Sequence, residues 1–416
     1  MKAAKVWSFP LRRSESQQGR RRTARPNENS VGQHFDKRRP LGRPSMETKA
    51  KIAGEQLRLA RLARGYSLEE IGERVGATRQ FIHQLETGAR SASDDLIAAL
   101  ADELGVTAAF LGEPIPSTVR PEQCHFRGHI TRPASVTSQV LARGTLLDKF
   151  VAAIEEHLEL PEVSFPDLPA SSAEEIEQAA EKARRYWGLG TTGPITSMMR
   201  VVENAGAVVT YFGDLSERVD AFSMDRRRPV IVRSSLKESL CRQRFDFAHE
   251  CGHLIMHRGI QTGDRATEDQ AHRFASAFLF PRGAVLREFP RGRTINWRAL
   301  FQLKLRWKMS VRAIVRRGYD LGLLSPAQYR TANIHLVKTG QAKVETYDAD
   351  GTLPIEQPEL LPSAIAALES AIPGGAVAVG RQVGFAPAML ELVTGASFSD
   401  PGPMPDDPKV VRLRPL

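Results

Sequence analysis

From Gly54 to Leu111 the apolar residues recur at helical spacing in short blocks: Leu57, Leu59 and Leu62, then Leu68, Ile71 and Val75, then Phe81, Ile82 and Leu85, then Leu96, Ile97, Leu100 and Leu104. The blocks predict four or five short helices. Ser67 with Glu70 three residues on forms a capping box for the second, which Gly76 ends; Thr78 caps the third, which Gly88 ends. A Pro-marked segment, Pro114 to Pro121, separates this bundle from the larger C-terminal portion of the chain. Amphipathic helices are then expected over Thr145 to Leu158 and Ala173 to Trp187, and a helix over Ile195 to Asn204. Strand-like runs come next at Ala207 to Phe212, Asp220 to Ser223 and Val230 to Arg233. Helices are predicted again over Lys237 to His257, Glu268 to Phe280 and within Trp297 to Gly322, before a looser Pro/Gly-rich part after Thr339. In that part Gln341 to Gly395 holds a Pro-framed I-E-Q-P-E-L-L-P stretch and an apolar helix, a place for a ligand-sensing or dimerising surface. The fold class is therefore mainly α with a small β-sheet.

With 416 residues, 41% hydrophobic and 25% charged, the chain can bury two or three cores. No apolar run approaches the ~20 residues of a spanning helix, so a membrane role is not expected. The N-terminus has no apolar stretch of the secretory kind. Cys124, Cys241 and Cys251 are too few and too scattered for a disulfide framework, so a cytoplasmic location is the expectation. The net charge of +10 is unevenly spread: residues 1–45 hold twelve Lys/Arg against three acids, a local +9. That tail lacks periodicity and reads as disordered. It is either a phosphate-holding arm or an extension ahead of a start at Met46, and the helical pattern beginning just after Met46 favours the extension.

Two short helices joined by a Gly-containing turn, Leu68 to Val75 and Thr78 to Glu86, have the length of a helix-turn-helix, whose second helix enters the major groove of double-stranded DNA. Arg79, Gln80, His83 and Gln84 can hydrogen-bond to base edges, while Phe81, Ile82 and Leu85 face inward. The run GEQLRLARLARGYSLEEIGERVGATRQFIHQLETGAR resembles the Cro/repressor-type (XRE) helix-turn-helix domain. The resemblance implies base reading by Arg79, Gln80, His83 and Gln84, with Thr78 at the phosphate-facing helix start. Leu68 stands where this family often has Gln, and leucine cannot bond to a phosphate. Gly54 to Gly105 carries a net −3, so DNA affinity would draw on a homodimer or on the tail, and a protein-contact role is the alternative.

Phe247-Ala248-His249-Glu250-Cys251-Gly252-His253 contains H-E-x-x-H, a pattern expected by chance on the order of once in a hundred such chains. On an α-helix i and i+4 share a face, so His249 and His253 can offer nitrogens to one divalent ion, with Glu250 beside it as a general base. A third ligand is needed, and Glu268, opening the next helix, is the candidate. The stretch RQRFDFAHECGHLIMH together with a downstream E-x-x-A-x-x-F-A-x-x-F-L-x-P resembles the ImmA/IrrE-type metallopeptidase domain, which is gluzincin-like. The resemblance implies Zn2+ held by His249, His253 and Glu268, Glu250 as the base, and edge pairing of a peptide on the strand Val230 to Arg233. Cys251 stands where Leu is usual and reads as a core thiol. His272 stands where Asn or Asp is usual and is either a donor supporting the site or a filler. His257 lies ~12 Å along the helix from His249 and is expected at the helix end, outside the site.

The expected organisation is a basic tail (1–45), the helix-turn-helix domain (46–113), a linker (114–135), a gluzincin-like α+β metallopeptidase domain (136–290), a helical extension (291–340) and a C-terminal region with a loose tail (341–416). In the extension, Arg312, Arg316 and Arg317 read as a solvated basic face, with DNA binding as the alternative. The expected function is a transcription regulator whose zinc peptidase cleaves a partner repressor or the chain itself. A metal-stabilised sensor that tunes DNA affinity without cleavage is the alternative.

Overall fold

A computed structural model describes residues 52–113, 118–120, 123–126, 134–212, 221–233, 239–260, 262–348 and 350–398. The basic tail, Met46, most of the expected linker, the expected helix start at Lys237 and the final residues 399–416 lie outside the described residues.

The N-terminal bundle comprises α1 (Gly54–Arg64), α2 (Leu68–Arg74), α3 (Arg79–Glu86), α4 (Asp94–Leu104) and α5 (Ala108–Gly112). Ser67 and Glu70 form the expected capping box on α2, and Thr78 Oγ1 accepts the Phe81 N–H at the start of α3. Strand β1 (Cys124–Phe126) comes next, then α6 (Ala134–His157), which starts eleven residues before the expected Thr145. After it stand α7 (Ala173–Tyr186), α8 (Met198–Asn204), β2 (Val208–Tyr211), β3 (Ala221–Met224) and β4 (Val230–Arg233). Helices α9 (Leu240–Met256), α10 (Arg265–Leu279), α11 (Arg282–Glu288), α12 (Trp297–Trp307), α13 (Val311–Asp320) and α14 (Pro326–Lys338) complete the middle of the chain. The C-terminal part is less loose than its Pro/Gly content implied. It forms α15 (Leu360–Ala371), α16 (Gly375–Gln382) and α17 (Pro387–Thr394), whose apolar residues enter a shared core.

Among the described residues four strands run in the order β1-β3-β4-β2, with β2 parallel to β4 and the other pairs antiparallel. Because side chains alternate across a strand, the sheet divides two cores. Val208, Phe222, Met224, Val230 and Val232 face a cluster built with α6, the N-terminal bundle and α15–α17. Val209 and Ile231 face a second cluster built from α7–α14. The N-terminal bundle thus shares its core with α6 and the C-terminal helices. Arg143 of α6 donates from Nε to the Ala63 carbonyl at 2.8 Å, and backbone bonds join Thr107 to Gly384 and Ala386 to Gly105.

Expectation and structure differ for β4. The resemblance implied an edge that accepts a peptide, but β4 is paired on both sides and all four residues are buried. Its V-I-V-R run is the apolar signature of a central strand. Arg317 departs from the solvated face: it is buried, bonded to Glu177 of α7 and to the Phe280 carbonyl. With Arg184, which donates to the Phe278 carbonyl at 2.6 Å, it satisfies backbone acceptors at the end of α10. Among the described residues no single helix is long and apolar enough to cross a membrane; the apolar pair α15 and α16 bends by 98°.

Glu203, on α8, accepts the N–H groups of Glu359 and Leu360 at the start of α15, at 2.9–3.1 Å. Burial raises its pKa to about 7 despite these bonds. A raised carboxyl pKa gives stability that is fully present below the unfolded pKa of about 4.3 and lost as pH rises through the folded value. Between pH 4.5 and 7.5 this group should remove about 3 kcal/mol of stability. Glu203→Gln should flatten that part of the stability–pH curve; an unchanged slope in denaturant titrations would refute the assignment.

Candidate metal centre and DNA-facing helix

Helix α9 starts at Ser239, whose Oγ accepts the Arg242 N–H, and is buried along nearly its whole length. Its apolar side, with Phe247, Cys251, Leu254 and Ile255, packs into the second core. Its other side is polar and meets the inward face of the sheet. Tyr211 Oη accepts from Gln243 at 2.9 Å, Arg233 pairs with Asp246 at 3.2 Å, and Ser223 Oγ bonds Glu250 Oε2 at 2.5 Å. These sheet residues share one face by strand alternation, and their partners recur at three- to four-residue spacing. Cys251 is fully buried, and burial pushes its thiol up, as suits a core residue.

His249 and His253 project from α9 toward α10. Their Nε2 atoms lie 3.1 Å apart, and Glu268 brings one carboxylate oxygen to 3.4 Å from His249 Nε2 and the other to 3.3 Å from His253 Nε2. All three side chains are buried. Burial alone would raise the Glu268 pKa, but bonds to both imidazoles and their charge hold it well below the usual range. Donors about 3.3 Å apart correspond to an edge of a tetrahedron with bonds of about 2.0–2.1 Å, so the set could hold a zinc-like ion. The close approach of α10 depends on Gly252, where a Cβ would lie 3.1 Å from the buried Phe274 ring.

The surrounding residues orient these donors. His257 Nε2 donates to Gln270 Oε1 at 2.8 Å, which leaves its Nδ1 to accept from His253 Nδ1 at 2.9 Å; in that tautomer His253 Nε2 presents a lone pair that can ligate a cation shared with Glu268. His257 therefore lies directly behind His253. It is the C-cap of α9, as the helix-end expectation has it, but four residues from His253 was the relevant spacing, not eight from His249. His272 Nδ1 donates to the Glu268 carbonyl at 2.8 Å, and its ring centre lies 4.5 Å from that of His249. Ring nitrogens of His249 and His272 and a Glu268 oxygen lie within 4.8 Å of one another.

Sequence reasoning missed Ser223 and His125. Ser223 is a lone hydroxyl inside an apolar strand, a signal that was legible. His125 carries none, because β1 is only three residues long. In register, His125 faces Ser223 across the β1–β3 pair. Its ring lies parallel to that of His253 at 4.9 Å, and its Nδ1 is 2.6 Å from Thr262 Oγ1. Burial, then the neighbouring His253 and His257, lowers its pKa to about 3, so it is neutral under ordinary conditions.

In the N-terminal bundle, Ile82 and Leu85 of α3 are buried, and Thr78, Arg79, Gln80 and His83 are exposed on the other side; Gln84 is half-buried. The turn before α3 is tight: a Cβ at Gly72 would come within 2.6 Å of the Ala77 carbonyl oxygen, and Gly76 has φ +67°. Arg61 grips Glu86 through Nε and Nη2 at 2.6 and 3.0 Å and so fixes α3 against α1.

Comparison with protein families matches residues 52–111 to the helix-turn-helix domain and residues 202–318 to the IrrE N-terminal-like domain of a peptidase family. The second match spans β2 through most of α13 and so contains His249, Glu250, His253, Glu268 and His272. No curated protein matches the chain. The chain thus joins a helix-turn-helix domain of the Cro/repressor type to an ImmA/IrrE-type domain in one polypeptide.

Proposed function

We propose that this protein is a DNA-binding transcription regulator whose ImmA/IrrE-type domain is a zinc-dependent peptidase acting on a partner repressor or on the chain itself. The observation that carries the reading is the convergence of His249 Nε2, His253 Nε2 and the Glu268 carboxylate at 3.1–3.4 Å with Glu250 on the same helix. The donor set, two imidazoles and one carboxylate, is that of hydrolytic zinc sites. Zinc held there supplies Lewis-acid chemistry, lowering the pKa of water and polarising a carbonyl.

The chain's own residues supply the rest. Glu250 takes the proton of the attacking water and returns it to the leaving amine. Ser223 holds one oxygen of Glu250, which fixes the direction in which the carboxylate acts. His257 and Gln270 fix the tautomer of His253, and His272 braces Glu268 through its backbone carbonyl. On DNA, Thr78 stands at a phosphate, and Arg79, Gln80, His83 and Gln84 meet base edges.

In the full-length protein, Glu250→Gln should keep bound zinc and reduce cleavage of the chain or of co-purified repressors by about 10²–10⁴-fold. Cleavage at the wild-type rate would sink the mechanism. Stoichiometric zinc without cleavage, with DNA and partner proteins present, would instead establish the non-proteolytic sensor. His257→Phe should weaken zinc binding by about 10–100-fold in a chelator competition, since it leaves His253 Nδ1 without its acceptor. For the DNA face, Gln80→Ala should cost about 1–3 kcal/mol on a selected operator and far less on random duplex. Equal losses on both would make α3 a phosphate binder rather than a base reader.

A further inference from the structure

The cavity beside the metal centre has a wall chemistry that peptide hydrolysis does not use. It is about 820 Å³ in volume and lies between the first turns of α9 and α13, α14 and residues 341–348. His272 and Phe245 line it, their rings 5.8 Å apart, and His272 connects it to His249.

Arg242, Arg312, Arg316 and Lys343 line the same space, together with Glu345 and Asp348. The carboxylates are already engaged. Buried Lys304 donates to Glu345 at 2.9 Å and to Asp348 at 2.7 Å, and Glu345 also accepts the N–H groups of Val311 and Arg312. Arg316 bonds Asp320 at 2.9 Å. Arg242, Arg312 and Lys343 are exposed, and among the described residues none of them forms an ion pair. Lys304 offsets one of the two wall carboxylates, so three available cations face a single residual negative charge.

A phosphate site would call on backbone N–H groups at a helix start. At the start of α13 those groups are taken: Glu345 holds Val311 and Arg312, and Ser310 holds Ala313; at the start of α9 Ser239 holds Arg242. What remains is cationic side chains spread over three elements around apolar surface from Phe245 and Ala313. That distribution suits carboxylates spaced along an extended peptide.

We propose that this cavity is a specificity pocket for acidic residues of the peptide substrate, read by Arg242, Arg312 and Lys343. The proposal rests on the peptidase reading of His249, Glu250, His253 and Glu268. Its test does not require turnover: fluorescence anisotropy of dye-labelled decapeptides on the full-length Glu250→Gln protein, comparing a Glu/Asp-rich sequence with its Gln/Asn and Lys counterparts. The acidic peptide should bind about tenfold more tightly than the amide peptide at low salt, with the advantage shrinking as salt rises. Arg242→Gln with Arg312→Gln should remove most of that advantage, and Arg242→Glu with Arg312→Glu should shift the preference to the Lys peptide while circular dichroism and zinc content stay unchanged. Equal binding of acidic and amide peptides, or no response to the substitutions, would overturn the pocket. So would displacement of the acidic peptide by equimolar inorganic phosphate, which would mark a small-anion site. An acidic preference in a protein that cleaves nothing would retain the pocket and overturn only the peptidase reading.

Discussion

The burial of α9 along nearly its whole length, polar side included, is the constraint around which the rest of the structure is arranged. A helix with one solvated face leaves its polar side chains to water, but Gln243, Arg244, Asp246, His249, Glu250 and His253 are all buried here. Each buried polar group left without a partner would cost about 1–3 kcal/mol. Their neighbours are therefore specified by chemistry as well as by shape. Tyr211, Arg233 and Ser223 come from one face of the sheet, Glu356 from the segment before α15, and Glu268 from α10. The same requirement that makes α9 expensive to bury places two imidazoles and the carboxylates of Glu250 and Glu268 in one enclosure.

The sheet carries the consequence to the other half of the molecule. Its second face supports α6, and α6 holds the N-terminal bundle through Arg143 and a shared apolar core. Sheets and the layers on them are spaced about 10 Å apart, so α9 and α6 are separated by one layer of backbone. The helix-turn-helix is thus not a bead on a string. Gly105, Val106 and Thr107 bond the segment between α16 and α17, and a Cβ at Gly384 would meet Phe110, so the close fit there requires glycine.

Local signals carried a good deal of this. The capping pairs Ser67–Glu70 and Thr78–Phe81 sit where the short-range pattern puts them, because a cap depends only on residues three positions apart. The i, i+4 spacing likewise sets His249 and His253 on one face whatever surrounds the helix. The start of α6 was less legible. Its first turns mix Ser, Thr and Gln with Val, and they become helical by packing on α1 rather than by amphipathic pattern. The segment Gln341 to Gly395 reads as holding an apolar helix, and the structure resolves it into α15, α16 and α17, because Gly and Ala runs have weak periodicity while close packing in a shared core favours such residues.

What the sequence by itself determined is the pairing of a helix-turn-helix segment with an ImmA/IrrE-type segment, the mainly helical class and the placing of His249 and His253 on one helix face, since each depends on spacing within one element. What only the tertiary structure decided is the order of strands, and with it the central place of β4, the position of His125 on His253 and the pairing of Ser223 with Glu250. The cationic cavity belongs to the same group: Arg242, Arg312 and Lys343 are far apart in sequence, and Glu345 and Asp348 are engaged by Lys304 only once the chain has folded. Long-range pairing is set by which buried groups can satisfy one another, and no local pattern encodes that.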